Sequence, residues 1–185
     1  MNYMEESNSI LKKNLSEKAY ELWEKLRDHI SNPCWEKSAS STNKYHRKEN
    51  GRVPSVIEHT FEMLYSADKI INMFEGIINK DVIFLSIILH DSYKYGLCKT
   101  CQFTEVKHGQ ITADKIKDNK NVFLRILTES EVESLEAAVR FHDGKWSPIA
   151  KESNFNKRFF TPEITFLHTL DMLSSRNCLK IVEKK

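Results

Sequence analysis

The run Val82-Ile83-Phe84-Leu85-Ser86-Ile87-Ile88-Leu89 is apolar on nearly every side when wound as a helix. A helix without a polar face cannot lie on a surface; it belongs at the centre of a bundle, walled by other helices. Asn79 stands where it can cap this helix. The run is followed at once by His90-Asp91, in the stretch LHDSYKYG. Adjacent polar groups at the end of a core segment are costly to bury unless something satisfies their hydrogen bonds and charge. The central helix therefore carries a chemical demand at one end.

The rest of the chain reads as the walls. Ser16 can cap a helix with Ala19, Leu22, Trp23, Leu26 and Ile30 on one face. Pro54 suits the first turn of a helix striped by Ile57, Phe61, Leu64, Ile71 and Phe74. A short amphipathic helix is expected over His108 to Lys117. Ser130-Glu131-Val132-Glu133 fits a capping box that opens a helix with Val132, Leu135, Ala138, Val139 and His142 on one side. Thr161-Pro162-Glu163 starts a last helix through Ile164, Leu167, Leu170 and Ser174. Five glycines and four prolines in 185 residues argue against a many-stranded sheet. The expectation is an all-α, single-domain helical bundle.

Composition excludes several function classes. With 40% hydrophobic and 29% charged residues the chain reads as globular, and a formal net charge of +2 is too mild for a nucleic-acid coat. No apolar stretch reaches the roughly 18 residues of a membrane span, and MNYMEESNSILKKNL lacks the apolar core of a signal peptide, so a cytoplasmic protein is expected. The four cysteines, Cys34, Cys98, Cys101 and Cys178, are read as ordinary thiols, because one CxxC without a second pair or a thioredoxin-like setting carries neither zinc nor redox chemistry by itself.

Of the seven histidines, His59, His90, His108, His142 and His168 fall at helix ends or on apolar faces, whereas His29 reads as surface. Imidazole and carboxylate together hold Zn, Mn or Fe, and a buried aspartate is tolerated beside a cation. Each residue taken alone has a plainer reading. His59 is then a satisfied core histidine, His108 begins its helix, and His142 beside Asp143 ends one favourably. His168, on the face of Asp171, reads first as core packing, with a ligand or supporting role as the alternative.

The order His59, His90-Asp91, Asp171 resembles the signature of the HD-domain superfamily of metal-dependent phosphohydrolases. His108 and His142 resemble the two further histidines of members that hold two metals. KYHRKENGRVPSVIEHT is similar to the stretch around the first ligand histidine in a bacterial and phage branch, and LDMLSSR to the superfamily's last helix. The likeness spans roughly residues 40 to 176, so residues 1–39 read as an N-terminal helix and connecting segment and 40–185 as an HD-like catalytic core, in one structural domain. Tyr93 and the segment Arg52 to Val56 depart from the branch's small or glycine-rich residues.

The resemblance implies a divalent transition metal, one or two ions (Mn, Zn, Fe, Co or Ni, with Mg also compatible), held by His59, His90, Asp91, His108, His142 and Asp171, with Asp91 bridging. It implies a phosphohydrolase, monoesterase or diesterase, that cleaves a phosphoester of a nucleotide or of a short or cyclic oligonucleotide by a metal-activated water. Asp91, Lys94 and His46 are the expected catalytic residues. Arg176, Lys94, His46, Lys44 and Trp146 are the expected substrate contacts, with Tyr95 as a second ring for stacking on a base. The Lys44–Lys48 cluster by itself is a solvated charged loop. Lys94 stands where nucleotidase-like members carry a glutamate, which points away from simple nucleoside monophosphate hydrolysis. No membrane or double-stranded nucleic acid partner is expected; a homo-oligomer is compatible. The alternatives are a diiron oxygenase on the same scaffold and a non-catalytic nucleotide-binding module.

Overall fold

A computed structural model of the chain describes residues 1–29, 34–40, 52–97, 101–148 and 160–176. Among these residues the fold is all-helical, with eight α-helices and an isolated bridge between Ser38 and Ser55 in place of any sheet. The helices are α1 (Tyr3–Asn14), α2 (Glu17–His29), α3 (Val56–Ile70), α4 (Lys80–Leu89), α5 (His108–Asp118), α6 (Lys120–Phe123), α7 (Glu129–Arg140) and α8 (Pro162–Ser174). Short 3-10 turns follow α3 at Ile71–Phe74 and α7 at Gly144–Trp146.

Helix α4 is the axis. Every residue from Val82 to Leu89 is buried, and α1, α2, α3, α7 and α8 pack around it. Burying a Leu, Ile or Phe side chain stabilises the fold by about 1.5–3 kcal/mol, so this one helix anchors the core. Asn79 caps it as its position suggests, its Oδ1 accepting from Val82 N at 3.1 Å. Ser16 caps α2, accepting from Ala19 N at 3.3 Å, and donates through Oγ to Asp81 of α4 at 2.6 Å. No helix among the described residues is long and apolar enough to cross a membrane.

Three local expectations change. Pro54 is not in the first turn of α3: Ser55 is the N-cap, in a capping box with Glu58, so Pro54 lies one residue outside and its carbonyl accepts from Ala39 N at 2.9 Å. Burial opposes the charge on Glu58, but Arg52 and the Ser55 amide and hydroxyl overcome it and hold the carboxyl at about 2. The capping box of α7 is Thr128 with Glu131, not Ser130 with Glu133. Glu131 of the adopted box also accepts from Asn79 Nδ2 at 2.6 Å. Helix α1 has no counterpart in the hydrophobic pattern. It buries Ser7, Leu11 and Asn14, two of them polar, and packs along α3.

Candidate metal centre

The C-terminal end of α4 is where the histidines and aspartates meet. His90 is the C-cap residue of α4 and Asp91 follows it. His59 comes from the first turn of α3, His108 is the first residue of α5, His142 lies in the turn after α7, and Asp171 sits on α8. Side chains far apart in sequence converge because α3, α5, α7 and α8 each bring one near that end of α4. The imidazoles form a row: ring centroids are 5.5 Å apart for His59 and His90, 5.0 Å for His90 and His142, and 4.9 Å for His108 and His142.

Asp91 spans the row. Its Oδ2 lies 3.4 Å from His90 Nε2, while its Oδ1 lies 3.0 Å from His108 Nε2 and 3.7 Å from His142 Nε2. At the other end His59 Nε2 lies 3.0 Å from Asp171 Oδ1. Three groups of ligand atoms emerge: His59 with His90 and Asp91; Asp91 with His108 and His142; and His142 with Asp143 and Asp171. Ligands about 2.0–2.2 Å from one ion lie about 3.0 to 4.2 Å from each other. The separations of Asp91 from His90, His108 and His142, and of His59 from Asp171, fall in that range.

The proton positions matter as much as the distances. His90 Nδ1 donates to Ile87 O at 2.7 Å, His108 Nδ1 to Glu105 O at 2.8 Å, and His142 Nδ1 to Val139 O at 2.7 Å. A carbonyl only accepts, so each Nδ1 carries a proton and each Nε2 faces the cluster, where in the neutral tautomer it holds the lone pair. His59 is held similarly: Ser174 Oγ lies 2.8 Å from its Nδ1, and the hydroxyl donates to Asp171 O at 3.1 Å, leaving its oxygen to accept from the ring. Carbonyl or hydroxyl partners on the outer nitrogen are how proteins orient histidine ligands. His90 Nε2 is fully buried and has no hydrogen-bond partner among the described residues. His108 Nε2 and His142 Nε2 are 3.0 Å apart, a contact that needs a proton or a metal cation between them. The donor set therefore fits a metal ion.

Electrostatics show a cluster that holds its carboxylates charged and draws positive charge to itself. Burial opposes the charge on Asp91, but His90, Lys94 and His108 hold its carboxyl well below the usual carboxylate range. Burial likewise opposes the charge on Asp171, and His59 foremost overcomes it. Burial would lower the Lys94 ammonium, yet Asp91, Asp143 and Asp171 raise it above the ordinary lysine value. Burial lowers His142 against the pull of Asp143, with His108 and His90 adding to the shift. Burial opposes the imidazolium of His90 too, but Asp91 and Asp171 raise it overall.

Lys94 lies where its spacing suggests, its Nζ 3.1 and 2.9 Å from the two oxygens of Asp91. His168 joins none of the three ligand groups; its Nδ1 donates to His142 O at 2.7 Å and supports the turn that carries His142. Tyr95 is no stacking ring. It is buried, donates from its hydroxyl to Ser38 O at 2.7 Å, and carries Lys37 Nζ on its face at 4.6 Å. Trp146 is exposed, with Lys145 Nζ 4.8 Å from its ring centroid. Arg176 is exposed just past α8, and among the described residues its guanidinium makes no hydrogen bond or ion pair. Lys44 and His46 lie outside the described residues, as do Cys98 of the CxxC pair, Cys178 and the side chain of His29.

Two participants escaped the sequence reading. Asp143 faces the second pair of histidines, with Oδ1 3.7 Å from His142 Nε2 and Oδ2 4.0 Å from His108 Nε2. Its signal was there: HDG at residues 142–144 repeats the His-Asp dipeptide of residues 90–91. Gly109 is the other. A Cβ there would stand 3.0 Å from His142 Cε1 and from Val139 O, so glycine lets α5 close onto the end of α7. A cavity of about 420 Å³ lies away from the cluster, at the N-terminal end of α4, between Asn79, Val82, Glu131 and Glu163.

Fold and site together define an all-α bundle with a buried His/Asp cluster able to hold a metal ion. No family model, curated protein or solved structure matches the chain.

Proposed function

We propose that this protein is a metal-dependent phosphohydrolase of the HD-domain type, acting on a phosphoester of a nucleotide or of a short or cyclic oligonucleotide. The observation that carries the reading is the pair of buried Nε2 atoms of His108 and His142, 3.0 Å apart, with Asp91 Oδ1 3.0 Å from the first and both Nδ1 protons committed to carbonyls. The same Asp91 reaches His90 with its other oxygen, as a carboxylate between two cations would.

His59, His90, Asp91 and Asp171 would hold one cation, and His108 and His142 a second shared through Asp91. When bound, such an ion supplies Lewis acidity toward a phosphoryl oxygen and a water of lowered pKa. The chain's own groups do the remainder. Backbone carbonyls fix the rings of His90, His108 and His142, and Ser174 that of His59, so no reorientation is needed at the moment of reaction. Lys94, its ammonium on Asp91, orients that carboxylate and can extend to a phosphate oxygen. Arg176, exposed at the end of α8, is free to meet a phosphate bidentately. Lys44 and His46 are the remaining proposed substrate contacts.

The test is metal analysis of purified protein, then a nucleotide panel with Mn, Co, Zn and Mg in parallel. Release of phosphate, or of a product cut at a phosphoester, is expected with at least one metal. His90→Ala and Asp91→Ala should each lose bound metal and turnover. Wild-type turnover in either variant would overturn the assignment. Bound iron with an oxygen-dependent optical change and no hydrolysis would replace it with oxygenase chemistry.

A further inference from the structure

We propose that Asp143 is itself a metal ligand, completing with Asp91, His108 and His142 a four-donor site for the second of two divalent cations; this rests on the metal-binding reading above. The argument begins with where its carboxylate lies. Asp91 Oδ1 and Asp143 each approach both histidines of the pair: 3.0 and 3.7 Å from His108 and His142 for Asp91, 4.0 and 3.7 Å for Asp143. Asp143 thus lies beside both imidazoles, with Oδ1 toward His142 and Oδ2 toward His108, and it also groups with His142 and Asp171 at ligand spacing.

The aim of Asp143 is set by its turn. Gly144 has φ +57°, and its amide donates to Phe141 O at 2.8 Å, while Trp146 N donates to Asp143 O at 3.1 Å. His168 packs on Gly144 so closely that a Cβ would lie 2.7 Å from its ring, and its Nδ1 holds His142 O. Gly109 keeps α5 against the same turn. The contacts that hold the turn of His142 thus fix the position of Asp143 as well, as supporting contacts do around metal ligands.

Charge points the same way. Lys94 faces three carboxylates, Asp91, Asp143 and Asp171, leaving the cluster formally at minus two when its histidines are neutral. One divalent cation neutralises it, and a second makes it match a phosphate dianion. A site with half its donors from carboxylates also favours oxygen-accepting cations such as Mn²⁺.

The experiment uses the full chain, stripped with chelator and titrated with Mn²⁺ alone, reading free Mn²⁺ by electron paramagnetic resonance. Wild type is expected to take up two ions per chain, with a spin-coupled signal from the pair. Asp143→Ala should bind one ion, or bind the second at least about tenfold more weakly, and lose the coupled signal. His108→Ala should lose the same ion, whereas His59→Ala should weaken the other. Should the alanine variant fail to fold, as read by circular dichroism, Asp143→Asn gives the same count with the shape preserved. Two ions at wild-type affinity and coupling in a folded Asp143 variant would overturn the proposal. So would a wild type that binds one ion, which leaves the proposed function standing. A wild type that binds none removes both.

Discussion

At the scale of single residues, the site depends on which nitrogen of each histidine carries the proton. Ile87, Glu105 and Val139 contribute only their carbonyls, yet those carbonyls decide that Nε2 faces inward. His59 depends instead on a side chain, Ser174 Oγ. That makes Ser174 the most accessible place to perturb a ligand without removing it. Ser174→Ala leaves the His59 ring without its outer partner and should lower metal affinity about 10–100-fold, with the helix content unchanged. Metal titration of the variant checks this, and wild-type affinity would mean that packing alone orients His59. Cys34 shows the opposite case, a group taken out of chemistry by its surroundings. Burial and Asp91 push its thiol up to about 12, and its Sγ lies 3.5 Å from Ser92 O.

At the scale of elements, the helices are tied together by polar contacts at their ends. Lys13 Nζ lies 2.7 Å from Asp68 Oδ1, and Asn14 Nδ2 donates to the same oxygen at 2.7 Å, so α1 is clamped to α3. Burial opposes the charge on Asp68, but Lys13 and Asn14 together hold its carboxyl below the ordinary value of 3.8. The group is therefore charged in the folded chain where it is already partly protonated in the unfolded one. The stability it contributes is fully present above the unfolded value and is lost as pH falls below it, through the lower folded value. Asp68→Asn should cost about 1 kcal/mol at neutral pH, since the lysine is largely exposed. Its effect should shrink toward zero in acid. Chemical denaturation of both proteins at pH 7 and at pH 3 measures the difference, and an equal gap at the two pH values would show that the clamp is not ionic.

At the scale of the whole molecule, the bundle gathers three carboxylates and four imidazoles around one end of its central helix. A cation that binds only the folded arrangement stabilises it by mass action. At a free concentration about 100 times its dissociation constant the gain is ~2.7 kcal/mol. For a chain of this size that corresponds to a rise in Tm of about 5–10 °C. Thermal melting with Mn²⁺ and with chelator checks it, and coincident curves would count against a metal centre in this cluster.

How much of this could be read from the sequence divides by range. Residues 82–89 announced a central helix, because an all-round apolar run has one stable location whatever surrounds it. Asn79, Ser16 and Thr161 announced helix starts, because a cap is made between residues three apart. His59, His90, Asp91, His108, His142 and Asp171 stood out by residue type and order. Helix α1 did not stand out, since two of the three residues it buries, Ser7 and Asn14, are polar.

Local chemistry determined that α2, α3, α4, α5, α7 and α8 are helical and which end of α4 had to hold polar groups; pairings across the fold decided the rest. TESEVE offers two capping boxes of equal local merit, and a hydrogen bond from Asn79, 52 residues away, accompanies the one adopted. Asp143 and Ser174 join the site, and Tyr95 leaves it, because of neighbours that come from other helices. A sequence pattern carries the period of a helix, but the rotation of one helix against another is set only when their side chains pack. On that rotation depends which lone pairs meet.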